Sequence, residues 1–286
     1  MNRAVVAFMA LTVVVAGCGN AAMTYASGTG PRYRAVGSVV ETKDNGPQLC
    51  FIVLEMNPPS CDGIPLQGWS WSAIDGEHTN LGVTWSDSVE VIGTYDGTRF
   101  TLTAKPKLAP ATSPDEPDFA TPCATPPSGW KIRDASLMSG GDYERAMQYA
   151  NAQPDFAGGW IDLGATARNN PGVTTNPNDR YREAVVVAAF TGDSARHQVE
   201  LERLWGGPVC VVQRSRTRAE MMDTANAAAQ LLRNDFNLRV NSVAVDEVGG
   251  TAHLWVDFLP ADAAAALDAK FGANVVTVDA AIKPVA

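Results

Sequence analysis

The sequence predicts an α+β protein in which a small N-terminal β-barrel is followed by an α/β sandwich. The barrel is predicted because residues 33–106 contain short runs of alternating apolar and polar residues, separated by glycine-containing turns. This pattern is typical of small closed barrels, of which an OB-like barrel is the simplest candidate. After residue 184, strand-like runs and helical periodicity alternate in the order β-α-β-α-β-β-α-β. From Val209 onward this order matches a ferredoxin-like sandwich.

The clearest element of the barrel is a hairpin at residues 89–103. Its two runs flank Asp96-Gly97, a pair that favours a two-residue type I′ turn because both residues can take a positive φ. Such a turn places Gly93 opposite Phe100. We therefore expect the Phe100 ring to lie over the bare glycine.

The linker and the helices of the second half also have local signals. Residues 107–130 contain six prolines and no apolar periodicity, which predicts an extended linker between domains at 33–106 and 131–286. A helix from about residue 194 is expected to end at Gly206-Gly207-Pro208. Thr217 and Glu220 predict a capping box at the start of a longer helix.

Residues 1–17 have the features of a secretion signal, because one arginine precedes an apolar run at residues 4–15 that is too short to span a bilayer permanently. Val15-Ala16-Gly17-Cys18 resembles the lipobox of bacterial lipoproteins. The resemblance implies cleavage before Cys18, a lipid (diacylglyceryl and palmitate) on its thiol, and a position on the extracytoplasmic face of the cell membrane. Residues 18–32 would then form a flexible tether. The alternative is an ordinary signal peptide in which Cys18 is incidental.

Cysteine parity agrees with an exported chain. If Cys18 carries lipid, four cysteines remain, and four can form two disulfide bonds in an oxidising compartment with three possible connectivities. We favour Cys50 with Cys61, which are close in sequence across a Pro58-Pro59 turn, leaving Cys123 with Cys210. A zinc site is the competing interpretation, but no two of these cysteines have the close spacing that zinc sites use.

Charge and motifs exclude several functions. The formal net charge of -9 makes nucleic acid an unfavourable partner. The sequence has no phosphate-binding loop, HExxH, GxSxG or calcium-loop motif. We therefore expect no metal, no cofactor and no catalytic residue.

Three tryptophans are the candidate binding residues. Trp69 and Trp71 share one face of a predicted strand, where they form either an aromatic platform for sugars or peptides or part of the barrel core. Trp255 shares the outward face of a later strand with His253 and Asp257. That histidine and aspartate are the best candidates for a catalytic pair, although no nucleophile is visible beside them, and a face covered by another element is the alternative.

The order of elements from residue 156 resembles that of a known family. Phe156-Ala157-Gly158-Gly159-Trp160-Ile161-Asp162, the strand around Val186, a helix, a strand, a long helix and a hairpin resemble the pro-regions of secreted bacterial serine proteases of the α-lytic protease and streptogrisin type. Those pro-regions pack against their protease, assist its folding and inhibit it. The resemblance implies a surface suited to another protein or a peptide, without an active site. The chain departs from the family in a longer loop at residues 163–179, and no protease domain follows in the sequence.

These observations predict a lipid-anchored, extracytoplasmic, non-enzymatic protein that binds a protein or a cell-wall component. An envelope hydrolase with an unrecognised site is one alternative. A binder of small ligands or sugars near Trp69 and Trp71 is the other.

Overall fold

The computed structural model describes residue 25, residues 30–54, 56–109, 118–164, residue 181 and residues 184–285. Cys18 and the predicted signal and lipobox lie outside this part of the chain. The described residues form fourteen strands and four α-helices, which confirms the α+β class. None of the helices in this part is long and apolar enough to cross a membrane.

The first eight strands precede residue 110, and five of them form a closed barrel. β1 pairs with β2 and with β6, β2 pairs with β3, β3 runs parallel to β7, and β7 closes the ring on β6. β4 and β5 form a hairpin on β1, and β8 pairs with β6. The strands are β1 (Tyr33–Glu41), β2 (Gln48–Cys50), β3 (Ile64–Gln67), β4 (His78–Asn80), β5 (Val83–Trp85), β6 (Val89–Tyr95), β7 (Phe100–Leu102) and β8 (Lys107–Leu108).

Alternation along these strands fills the barrel with apolar side chains, because every second residue points inward. Each ring strand contributes to one buried cluster, which includes Val39, Leu49, Leu66, Val91 and Phe100.

The predicted register of the β6–β7 hairpin is wrong by two residues. Tyr95 pairs with Phe100 and Gly93 with Leu102, so the loop has four residues instead of two. The cause is the Asp96 side chain, whose Oδ1 accepts hydrogen bonds from the backbone N–H groups of Thr98 (2.9 Å) and Arg99 (2.7 Å). A slip of two residues leaves every side chain on its predicted face.

The Phe100 ring does lie against Gly93, although the two residues are diagonal neighbours. A Cβ atom at position 93 would overlap both this ring and the carbonyl oxygen of Thr101. We expect Gly93→Ala to lower the free energy of unfolding by roughly 1–3 kcal/mol, because β6 and β7 must move apart. Urea denaturation checks this, with Gly46→Ala as the control, since that position has no heavy atom within 4 Å of an added Cβ. Equal decreases in the free energy of unfolding for Gly93→Ala and Gly46→Ala would show that the close packing at Gly93 does not matter.

The second half of the chain contains two consecutive modules with the same order of elements. Each has a helix, an antiparallel pair of strands, a second helix and a strand parallel to the one before it. Module 1 comprises α1 (Gly140–Asn151), β9 (Phe156–Asp162), β10 (Val185–Phe190), α2 (Ser194–Leu204) and β11 (Val209–Gln213). Module 2 comprises α3 (Arg218–Asp235), β12 (Val240–Asp246), β13 (Thr251–Phe258), α4 (Ala261–Phe271) and β14 (Val276–Pro284).

This arrangement does not confirm the ferredoxin-like sandwich. The elements follow one another as predicted, and Thr217 and Glu220 form the predicted capping box. However, β11 pairs with β10 in a separate three-stranded sheet and does not join β12–β14. β11 pairs with β10 because the connection through α2 is short and places β11 beside β10 as a parallel strand.

Helices cover one face of each module's sheet. In module 1, α1 and α2 pack over a buried cluster that includes Val186, Ala188 and Phe190. In module 2, the helices and the sheet share a second cluster that includes Leu232 and Leu254. The opposite faces of the two sheets are therefore the ones available for other contacts.

An extended segment of the chain covers this opposite face in module 1. We call residues 118–130 the strap; they are the described end of the predicted linker. Cys123 of the strap is bonded to Cys210 of β11, with Cα atoms 6.0 Å apart. The other disulfide joins Cys50 and Cys61, so both favoured pairings are confirmed.

The sheet of module 2 continues into the barrel. β14 pairs antiparallel with the beginning of β1, with Tyr33 opposite Pro284 and Ala35 opposite Ile282. Ile282 is buried in the barrel cluster, and Phe258 of β13 packs against the same cluster. Among the described strands, β14 thus supports β1 although the two are far apart in the sequence.

Candidate functional site

The face of module 2 opposite its helices is exposed at its centre. Along β13, Ala252, Leu254 and Val256 point into the helix-covered core, so His253 and Trp255 point the other way. Their cross-strand neighbours on β12 and β14 lie on the same face. We call this surface the open face; it consists of Ser242, Ala244, His253, Trp255, Thr277 and Asp279.

Trp255 lies at the centre of the open face. It pairs with Ser242 on one side and Asp279 on the other, and 49% of it is exposed. His253 contacts it edge-on, with ring centroids 5.7 Å apart. The indole N–H donates to no atom of the described chain. A half-exposed tryptophan with an unused donor is the kind of group that anchors protein interfaces.

The polar contacts of His253 are with β14 and not with Asp257. Its Nδ1 lies 3.1 Å from Thr277 Oγ1, and its Nε2 lies 3.4 Å from Asp279 Oδ2. Asp257 instead accepts a hydrogen bond from Asn241 Nδ2 at 2.7 Å and lies 3.6 Å from Arg239 Nε. The hypothetical His253–Asp257 pair is therefore wrong. Residues four apart on a strand are separated by roughly 13 Å, whereas β14 places its side chains directly beside His253.

The Thr277, His253 and Asp279 side chains form a chain of polar contacts on a flat surface. Thr277 Oγ1 also donates to the carbonyl oxygen of Ala252, which holds this hydroxyl against the sheet. Backbone N–H groups of β13 and β14 are used in strand pairing. Acyl transfer needs free donors around the developing oxyanion, and on this face of the described chain the free donor is the indole N–H of Trp255 and not a backbone N–H.

Trp69 and Trp71 lie beside the barrel core. Their rings meet edge to face with centroids 5.3 Å apart, and both pack against the barrel cluster. The Trp71 indole N–H donates to the Glu41 carboxylate, whereas the Trp69 indole nitrogen is buried without a partner in the described chain. An open cleft of about 330 Å³ lies between residues 73–75 and 105–108, next to the segment that carries Trp71.

A second polar constellation, which the sequence did not reveal, is buried in module 1. The His197 side chain is fully buried and bridges two groups, with Nδ1 3.0 Å from Tyr149 Oη and Nε2 2.9 Å from Asp155 Oδ2. Its ring stacks on Phe190 at 3.8 Å. The available signal was the shared stripe of α2 that His197 forms with Leu201, because residues four apart lie on one helix face.

Two opposing effects set the pKa of the Asp155 carboxyl. Burial raises it, but the hydrogen bond and the attraction from His197, together with the nearby Arg196, bring the pKa below its ordinary value. The carboxylate is therefore the resident form. Because His197 has no exposed atom, its ring links α1 to α2 inside the module and is not accessible to a substrate.

Within the described residues, no group of three histidine, cysteine or acidic side chains is placed to hold a metal ion. No protein-family model matches the chain, and no curated protein is significantly similar to it.

Proposed function

We propose that the chain is a lipid-anchored, extracytoplasmic, non-enzymatic protein that binds another protein or a cell-wall component through its open face. The observation that carries this proposal is Trp255, which is half exposed at the centre of a sheet face and whose indole N–H has no acceptor among the described residues. The resemblance to protease pro-regions is in keeping with a protein-facing surface. The lipobox resemblance supplies the anchor at Cys18.

For the barrel we propose the OB-like class. The ring order β1-β2-β3-β7-β6, closed by the parallel contact of β3 with β7, supports it. Small barrels of this class use exposed strand faces and loops for binding.

Site-specific photo-crosslinking in native cells tests the binding proposal. A photoreactive amino acid replaces Ala244, an exposed small residue beside His253 on the open face. We expect a crosslinked product from this position and its loss when Trp255→Ala is combined with it. The matched control places the same group at Gly46, an exposed position in a barrel turn. No product, or one that Trp255→Ala leaves unchanged, would contradict the proposal.

Anchoring is tested separately. We expect Cys18→Ala to move the protein from the membrane fraction to the soluble extracytoplasmic fraction, because one thiol carries the lipid. Mass spectrometry of the membrane form is expected to show an acylated N-terminal cysteine. An unmodified cysteine would leave the ordinary signal peptide as the explanation.

An envelope hydrolase is the competing function, and the contacts among Thr277, His253 and Asp279 are the observation that favours it. Hydrolysis of peptide, ester or glycan substrates by protein lacking residues 1–17, abolished by His253→Ala, would establish this alternative. Activity unchanged in His253→Ala would exclude this site as its source.

A further inference from the structure

The two modules of the second half have corresponding positions on their three strands, although the residues at those positions differ. In module 1, Val187 on the middle strand pairs with Trp160 and Cys210. In module 2, Trp255 on the middle strand pairs with Ser242 and Asp279. Both sets lie on the sheet face opposite the helices. The open face is thus the counterpart of the face that the strap covers.

The strap shows how such a face is covered by an extended chain. It crosses from β9 to β11, and the indole N–H of Trp160 donates to the Phe119 carbonyl oxygen at 3.1 Å. The carboxylate of Asp162 accepts a hydrogen bond from the Thr121 backbone N–H at 2.7 Å. The disulfide from Cys123 then fixes the strap over β11. A sheet tryptophan and a sheet carboxylate therefore hold the backbone of the covering segment.

The open face presents the same two kinds of group without a covering segment in the described chain. The Trp255 indole N–H donates to no described residue, and the side chain of Asp279 is 51% exposed. Ser242 and Ala244 are small and exposed, which leaves room for a chain to cross β12. The His253 ring lies 3.1 Å from Thr277 Oγ1 and 3.4 Å from Asp279 Oδ2, so it is directed toward β14 and leaves the surface of β12 open.

We propose that the open face binds an extended, proline-containing segment of another protein, lying across β12, β13 and β14 as the strap lies across β9, β10 and β11. The strap itself contains Pro122, Pro126 and Pro127, and proline keeps a segment extended before binding. Proline rings stack on exposed tryptophan, as in other sites for extended ligands. A lysine or arginine in the segment faces Asp279, because an exposed carboxylate binds a cationic side chain by a charge-assisted hydrogen bond. This inference rests on the proposed binding function.

Selection from a displayed library of random dodecapeptides tests the proposal. Protein lacking residues 1–17 is immobilised, and bound peptides are compared with those recovered on variants. We expect enrichment of peptides that contain both proline and a basic residue. For these peptides, Trp255→Ala is expected to weaken binding at least tenfold, and Asp279→Asn to weaken it severalfold and to reduce its salt dependence. Val199→Ala, a change at a 64% exposed apolar residue of α2, is the control and leaves binding unchanged.

The outcomes separate this inference from the proposed function. No enrichment, or enriched peptides without proline and basic residues, overturns the inference. So does a dimer in sedimentation velocity that Trp255→Ala dissociates, because a second copy would then occupy the face. A crosslink from position 244 to a wall fragment would also overturn it while leaving the binding function intact. Absence of both crosslink and peptide binding would remove the two proposals together.

Discussion

Replacing Cys123 and Cys210 together by serine is expected to lower the free energy of unfolding by roughly 4–5 kcal/mol. The disulfide closes a loop with a sequence separation of 87 residues, and the chain-entropy contribution of a disulfide grows with loop length. Urea denaturation of protein lacking residues 1–17 measures the change.

Loss of this disulfide is also expected to have a local effect, because the bond fixes the strap over the sheet of module 1. Trp160 is only 5% exposed beneath it. We expect the double variant to show red-shifted tryptophan fluorescence at low urea, before global unfolding. The matched control is the Cys50→Ser and Cys61→Ser double variant, whose bond spans 11 residues and is expected to contribute about 3 kcal/mol. A larger decrease in the free energy of unfolding for the Cys50→Ser and Cys61→Ser variant would contradict the role assigned to the strap.

His197→Ala is expected to lower the free energy of unfolding by roughly 2–4 kcal/mol. The change removes a fully buried ring that stacks on Phe190 and leaves the Tyr149 hydroxyl and the Asp155 carboxylate without their partner. Thermal or urea unfolding followed by circular dichroism measures it. Val199→Ala on the same helix is the control, and we expect it to change stability by less than about 0.5 kcal/mol. If His197→Ala left the free energy of unfolding unchanged, α1 and α2 would be held together by apolar contacts alone.

The contribution of Asp155 is expected to depend on pH. Its pKa is lowered in the folded protein, so its carboxylate adds stability above the unfolded pKa and loses it as the pH falls through the folded value. The stability difference between the natural protein and Asp155→Asn should therefore be full at neutral pH. It should shrink as the pH drops below the ordinary aspartate value of 3.8. A difference that stays constant over this range would contradict the assignment.

Local signals predicted much of the fold. The spacing of the cysteines gave both disulfide pairings, because one pair spans a short turn and leaves the other two as partners. The capping box at Thr217 and the Gly206-Gly207 helix end depend on residues within one helical turn, which sequence patterns report well. Alternation in residues 89–103 placed the side chains of that hairpin on the right faces.

Features that depend on competing hydrogen bonds or on distant partners were not predicted. The hairpin loop contains four residues because Asp96 captures two backbone N–H groups, which the Asp-Gly signal alone does not indicate. The sequence shows that β11 is a strand but not which sheet it joins. The contacts of His197 and His253 likewise depend on neighbours 24 to 48 residues away. The sequence placed Trp255 on an outward face, but only strand pairing shows what surrounds it.

The pairing of β14 with β1 has a consequence for biogenesis. β1 leaves the ribosome early and β14 leaves it late. One edge of β1, at Tyr33–Ala35, therefore stays unpaired until β14 has been synthesised. Exposed strand edges recruit strands from other molecules. Truncated products that end before β14 should therefore aggregate with one another instead of folding as separate barrels. We expect quality-control proteases to degrade them.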